Sequence, residues 1–274
     1  MTATRVSSTG PTGRVAAVWQ HRSIVRTLVV RDLRVRYARS WLGYLWTVLD
    51  PLLMSLIYFF VFTQIFHRSD VGHKPYFLFL VVGLLSWQFF TQSITDGATS
   101  LLADSKLVRS TSLPREVWVV RVVASKLVEY VYSLPVLVLF VAIYVARGDT
   151  HVNARIVLFP LGVALQIVML VGFGLLLAPV TALVTDMQRV IRILLRMLFY
   201  ATPVIYSPAR VPKGFRVVIE SNPMAGVLEL QRAGLFKEPI LWRSVVLGVA
   251  FSLVILGLGT WVFVRLERAV LKEI

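Results

Sequence analysis

Four carboxylates lie inside or beside long apolar runs of this chain: Asp50, Asp96, Glu129 and Glu229. An ionisable group in such a place is a candidate for function, because hydrocarbon disfavours its charged form. Clustered acids would suit an enzyme working on sugar-phosphate lipids, or a carrier coupled to an ion gradient. Here the 14 acids are spread thinly instead. Glu129 stands three residues after Lys126 and can pair with it on one helix face. Asp96 falls at the end of an apolar run, where water is near. A structural role accounts for both.

Aromatic residues are the second set. Tyr58, Phe59 and Phe60 fall in one apolar run, Trp87, Phe89 and Phe90 in a second, and Phe199 and Tyr200 in a third. Aromatic faces stack on sugar rings, so Tyr58, Phe59, Trp87, Phe90, Phe199 and Tyr200 are candidates to line a glycan path. Interfacial anchoring and lipid packing is the plainer reading. Other chemistry is excluded. No G-x-x-x-x-G-K-[ST] occurs, so the chain holds no P-loop for ATP. H-E-x-x-H, G-x-S-x-G and Cys/His clusters are missing, and without cysteine there is no disulfide or thiolate site. His67 and His73 share a segment with Asp70, which reads as a solvated loop. No metal site or resident cofactor is expected.

The elements that must position these residues are membrane spans. At 57% hydrophobic and 16% charged, the chain is more apolar than a soluble domain, which is nearer one half apolar and one quarter charged. Runs of about 20 apolar residues predict an all-α integral membrane protein with six spans, at 44–66, 76–95, 127–146, 158–178, 190–206 and 244–264. The fourth apolar stretch is long enough for a tilt or a break at Pro179. The fifth is short and begins with Arg192 and Arg196. No internal repeat is visible, which counts against an inverted-repeat carrier. The net charge of +15 lies mainly beside apolar runs, so it reports membrane orientation and not nucleic acid. Eight of the 29 basic residues precede residue 44, and the bias predicts both termini cytoplasmic. Residues 1–21, with a polar Ser/Thr/Gly-rich start, read as a flexible cytoplasmic tail.

Two connections are too long for turns. In 97–120, Asp104 can cap a short helix, and Ser112 with Pro114 marks the start of another. In 207–243, Asn222-Pro223 is a strong helix start that predicts two short helices able to dip back into the membrane. Such backbone survives only where protein or water satisfies it.

The stretch "RDLRVRYARSWLGYLWTVLDPLLM" (31–54) resembles the opening of permease subunits of type-2 ATP-binding-cassette (ABC) exporters, on the branch that exports O-antigen, teichoic acid and capsular polysaccharide. Arg31, Asp32, Arg36, Tyr37, Leu42, Gly43, Trp46 and Pro51 to Met54 carry the likeness. "ATPVIYSP…NPMAGVLELQRAGLF" supports it with Thr202, Pro203, Tyr206, Asn222, Pro223 and Arg232-Ala233. The Arg- and Val-rich usage looks actinobacterial, similar to mycobacterial exporters of lipid-linked galactan.

The resemblance implies a homodimer with two copies of a separate nucleotide-binding ATPase subunit, which binds ATP and Mg. It implies an amphipathic interface helix at 22–43 with Arg31, Asp32, Arg36 and Tyr37. A cytoplasmic coupling helix between spans two and three is placed at Asp104, Ser105, Lys106, Leu107 and Arg109. External re-entrant gate helices between spans five and six would hold Pro203, Tyr206, Asn222, Pro223, Glu229 and Arg232. The implied substrate is a polyprenyl-diphosphate-linked glycan, moved across the cytoplasmic membrane among membrane lipids. A type-2 ABC permease for a drug or a lipid, a membrane enzyme acting on polyprenyl-linked sugar and an ion-coupled carrier are the alternatives. Within the opening stretch, the arginines fix the cytoplasmic side, Trp41, Tyr44 and Trp46 suit headgroup level, and Asp50-Pro51 reads as a hinge between interface helix and span one.

Overall fold

The computed structural model describes residues 19–38, 40–67 and 72–273. Asp70 and all but the last three residues of the expected tail lie outside the described residues. The helices are α1 (Arg22–Tyr37), α2 (Trp46–Phe60), α3 (Tyr76–Ala98), α4 (Ser100–Ala103), α5 (Ser105–Ser110) and α6 (Glu116–Ala146). They continue with α7 (Leu158–Leu183), α8 (Met187–Ala201), α9 (Lys213–Glu220), α10 (Pro223–Arg232) and α11 (Trp242–Glu273). Among the described residues there is no strand.

Five helical segments are long and apolar enough to cross a membrane: Gly43–Ile65, Tyr76–Ala98, Glu116–Ala146, Ala154–Leu183 and Trp242–Glu273. This is a multi-pass membrane protein. The segment expected as the fifth span, 190–206, differs. It forms the 15-residue α8, roughly 22 Å long, and the chain then turns. Arg189, Arg192 and Arg196 make this helix amphipathic, so its apolar run is shorter than that of the five.

Helix α3 is the core. Leu78, Phe79, Leu80, Val81 and Val82 are all buried, so consecutive residues face protein on every side, as an all-round apolar helix requires. Its neighbours keep an apolar outer face for lipid. Glycines let α7 and α11 approach closely: a Cβ on Gly259 would strike the carbonyl of Gly172, and one on Gly172 would lie 2.7 Å from the Leu256 nitrogen. Small residues serve this purpose in membranes, where packing and not water expulsion holds helices together. Polar side chains add to it. Gln231 donates to Gln166 at 3.0 Å, Gln166 donates to the Ser86 carbonyl at 2.8 Å, and the Ser86 hydroxyl donates to Gln231. This closed triad joins α10, α7 and α3.

Two prolines behave differently from expectation. Helix α7 continues through Pro179 to Leu183, so there is no break. The hinge expected at Asp50-Pro51 also lies elsewhere. Pro51 is inside α2, near enough to its start that little of the hydrogen-bond ladder is lost. The chain turns instead before Gly43, whose φ of 49° a Cβ would oppose.

Candidate functional site

Helix α1 is fastened to the bundle by two rings of alternating charge. In the first, Arg31 Nη2 lies 3.2 Å from Asp32 and 3.1 Å from Asp104. Arg121 of α6 closes the ring, 3.1 Å from Asp32 and 2.6 Å from Asp104. These Arg121 contacts are ion pairs without hydrogen-bond geometry. In the second ring, Arg36 lies 2.7 Å from Asp96 of α3 and 3.4 Å from Glu129 of α6. Lys126 completes it, 3.2 Å from Asp96 and 3.0 Å from Glu129. Each ring holds two cations and two anions. Buried charge demands such pairing, and Arg121 and Lys126 have side chains only 5% and 2% exposed.

The rings place several expected residues. Asp32 and Arg36 meet α6 directly, Arg31 reaches Asp104 before α5, and the Lys126–Glu129 pair forms as the three-residue spacing suggested. Asp96 is more than a helix end near water, since it bridges two cations. Tyr37 packs at a tilt against Tyr44, ring centres 4.3 Å apart. Burial, then the Glu129 carboxylate, pushes the Tyr37 phenol up from its usual range. Burial alone would lower the Arg36 guanidinium, but Asp96 and Glu129 hold it above its ordinary value. Asp104 stands at the N-cap of α5 but makes no side-chain cap bond. Its carboxylate is committed to Arg31, by charge-assisted hydrogen bonds, and to Arg121, as an ion pair, which together outcompete one amide. Ser105 opens α5, and Val108 anchors it in the core beside Leu101 and Trp118. Lys106, Leu107 and Arg109 point outward. The helix expected to start at Ser112-Pro114 begins at Glu116.

The opposite end of the bundle is closed by α9 and α10. Asn222 accepts from the Met224 nitrogen at 3.0 Å as an N-cap, with Pro223 at the first helical position. Its amide also donates to Thr202 Oγ1 at 2.9 Å and to the Ala201 carbonyl at 3.1 Å. Arg232 is buried, and among the described residues no carboxylate lies within ion-pair distance of it. Its guanidinium donates to the carbonyls of Pro203 and Val204 at 2.7 Å and of Phe79 at 3.2 Å, and lies 3.6 Å from the centre of the Phe79 ring. Gly83 makes room, since a Cβ there would strike Arg232. Glu229 accepts from the Leu241 nitrogen at 3.3 Å. Tyr206 donates to the Tyr200 carbonyl at 2.9 Å. Asn153 and Thr150 tie the same end down through the carbonyls of Ala233 and Leu235. In front of α3, His73 Nδ1 lies 2.8 Å from Glu238.

Between α2, α3 and α8 lies an open cleft of about 740 Å3. Four of the six aromatic candidates line it: Tyr58, Trp87, Phe199 and Tyr200. Their rings touch in series, Tyr58 to Phe199 at 5.8 Å, Phe199 to Trp87 at 5.6 Å and Phe199 to Tyr200 at 5.2 Å. Phe59 and Phe90 are not among the lining residues. Phe59 packs edge-on against Phe77, and Phe90 is buried between Trp87 and Phe173. The cleft also takes Asp50, Gln88, Thr91, Thr95, Arg192 and Arg196. Sequence reasoning had treated the two arginines only as a weakness of a span. It missed the Gln231–Gln166–Ser86 triad, although a lone Gln in the apolar run of α7 was a visible signal. Among the described residues no group of three or more His, Asp or Glu could hold a metal ion.

Comparison with known proteins matches this architecture. Residues 24–236 match the family model described as ABC-2 type transporter. An O-antigen export system permease protein RfbA of Myxococcus xanthus is 32% identical over 80% of this chain and 82% of its own. One from Klebsiella pneumoniae is 29% identical over 84% of this chain and 87% of its own. The polysialic acid transport protein KpsM of Escherichia coli is 26% identical over 91% and 95%. With a family match across most of the helical bundle, the chain belongs to the ABC-2 type transporter family, on the branch that holds the O-antigen export permeases.

Proposed function

We propose that this chain is the channel-forming permease subunit of an ABC exporter for a polyprenyl-diphosphate-linked polysaccharide, O-antigen- or galactan-like. The observation that carries the reading is the aromatic-walled cleft on a chain of this family. Stacked rings hold sugars through their apolar faces while leaving them free to slide. Two copies pair so that their clefts form one path. Helix α8 with the turn that follows it makes the fifth of six crossings. The α1 end faces the cytoplasm with both termini, in the cytoplasmic membrane, and α9 and α10 form the external gate.

ATP is bound and hydrolysed by a separate subunit, two copies per dimer. That subunit docks on α5, whose Lys106, Leu107 and Arg109 project outward while Val108 holds the helix to the core. Its push passes through Asp104 into both α1 and α6, because the first charge ring joins all three. An enzyme reading is disfavoured, since Asp96 and Glu129 are held by cations in the second ring. Export of a cationic drug is disfavoured by two arginines in the cleft.

The test is depletion of the chain in its host. Labelled lipid-linked polysaccharide should collect on the inner face and reach the surface again with the wild-type gene. Reversal of Lys106 and Arg109 to Glu should lower both export and co-purification of the ATPase. Unchanged surface polysaccharide on depletion would sink the reading.

A further inference from the structure

The cleft is sorted along its length, and all three helices agree on the direction. On α2 the lining runs from Asp50 to Tyr58, on α8 from Arg192 to Phe199, and on the antiparallel α3 from Thr95 back to Trp87. Seven or eight residues of helix separate the polar member from the aromatic one in each case, about 10–12 Å. The aromatic end is continuous, because Tyr58, Trp87 and Phe199 touch. The polar end, nearest α1, carries Arg192 and Arg196 one helical turn apart.

These two arginines differ from the cations of the charge rings and the carbonyl cage. Arg36, Arg121 and Lys126 are ion-paired in rings, and Arg232 is caged by carbonyls. Among the described residues, neither Arg192 nor Arg196 lies within ion-pair distance of a carboxylate. Asp50 lines the same end from the α2 wall without reaching them, so two guanidiniums face one acid. Nearby, Gln88 offers its side-chain amide. Thr91 and Thr95 have turned their hydroxyl hydrogens back to helix carbonyls, so the donors at this end are those of Arg192, Arg196 and Gln88. Arg196 Nε donates to the Arg192 carbonyl at 3.4 Å, which leaves both terminal forks free of a carboxylate; such guanidiniums select for an anion, and the planar fork suits phosphate oxygens best. A neutral sugar would not need them, and a cation would be repelled.

We propose that Arg192 and Arg196 form a subsite for the diphosphate of a polyprenyl-linked substrate, while the aromatic end, about 10 Å from Arg192 and about 5 Å from Arg196 by helix rise, takes its first sugars. This rests on the export function proposed above and adds to it the place and the chemistry of head-group capture. The arginines then act before sugar stacking, by holding the charged link at the α1 end of the cleft.

The test uses the full chain in nanodiscs of phosphatidylcholine, with radiolabelled geranylgeranyl diphosphate as probe. Binding should be saturable and displaced by unlabelled probe. Geranylgeraniol and phosphatidylglycerol should displace it poorly. The Arg192→Gln/Arg196→Gln variant should bind at least tenfold more weakly, as loss of charge-assisted bonds requires. Arg192→Lys/Arg196→Lys, which keeps the charge but loses the fork, should bind with an affinity between those of wild type and the Gln pair, and Arg189→Gln, outside the cleft lining, should leave it unchanged. Equal displacement by phosphatidylglycerol would make this a general lipid contact and overturn the subsite. So would wild-type affinity in the Gln pair. A Gln pair that binds and exports as wild type does, in a host whose export needs the chain, sinks the subsite and leaves the permease reading standing. Export that persists without the chain sinks that reading instead.

Discussion

Replacing Arg121 by Gln removes two of the four contacts in the first charge ring, those of 3.1 and 2.6 Å to Asp32 and Asp104. The two carboxylates are left sharing Arg31, and the ring changes from neutral to a net negative charge. Removing one member of a buried ion pair costs about 3–5 kcal/mol. The Arg121 side chain is 5% exposed, but Asp32 and Asp104 keep 19% and 17%, so the lower limit applies, about 3 kcal/mol. That corresponds to a change on the order of 100-fold in the balance between docked and undocked α1. Hydrogen exchange of the full chain in nanodiscs would read it. Amides of Arg22–Tyr37 should exchange faster by roughly that factor if α1 opens as a unit. A second substitution, Asp104→Asn on the Arg121→Gln background, restores neutrality and should recover more than half of the loss, a coupling expected only between residues of one network. Wild-type protection of α1 in the single variant, or a double variant as weak as the sum of its parts, would refute the ring as the fastening of α1.

Arg232→Met should lower the thermal melting of the purified chain strongly, because three carbonyls, those of Pro203, Val204 and Phe79, lose their donor; about 3 kcal/mol or more is at stake. Lysine at 232 should not rescue, since one ammonium cannot reproduce the fork, and an unchanged melting temperature in the Met variant would contradict the cage. His73 gives a pH dependence. Burial lowers its folded pKa, against the pull of Glu238, so the unfolded chain binds the proton more readily. Stability is full above the unfolded value of about 6.5 and falls as pH drops through the lowered folded value. Melting should therefore decline between about pH 7.5 and pH 5.5 more steeply for wild type than for His73→Gln, and equal slopes would remove His73 as the cause.

The membrane character, the helical class and all five long spans were legible because they depend on local quantities. Apolar run length predicts a span from Tyr76 or from Leu158 wherever the neighbours lie. Asn222-Pro223 is legible for the same reason, since a cap and a fixed proline φ act within one turn. The Lys126–Glu129 pair needed only helix geometry. Local signals misled where two effects competed at one residue. Asp104 has the chemistry of a cap, but tertiary cations claim its carboxylate. Proline at 51 and 179 has the chemistry of a breaker, yet helices continue through both: Pro51 lies near the start of α2, where little of the ladder is lost, and at Pro179 packing on the bundle offsets a missing bond.

What sequence alone determined, then, is that this chain is a multi-spanning helical protein of basic charge without a nucleotide loop, with the aromatic and acidic residues available for use. Only the tertiary structure decided which of them meet. Arg31 and Asp104 are 73 residues apart, and Ser86 and Gln231 are 145 apart. No periodicity encodes such pairings, since they depend on how α1, α3, α6 and α10 pack. The same packing turned Arg192 and Arg196 into the charged wall of a cleft, and sent Phe59 and Phe90 into contacts with other aromatic rings.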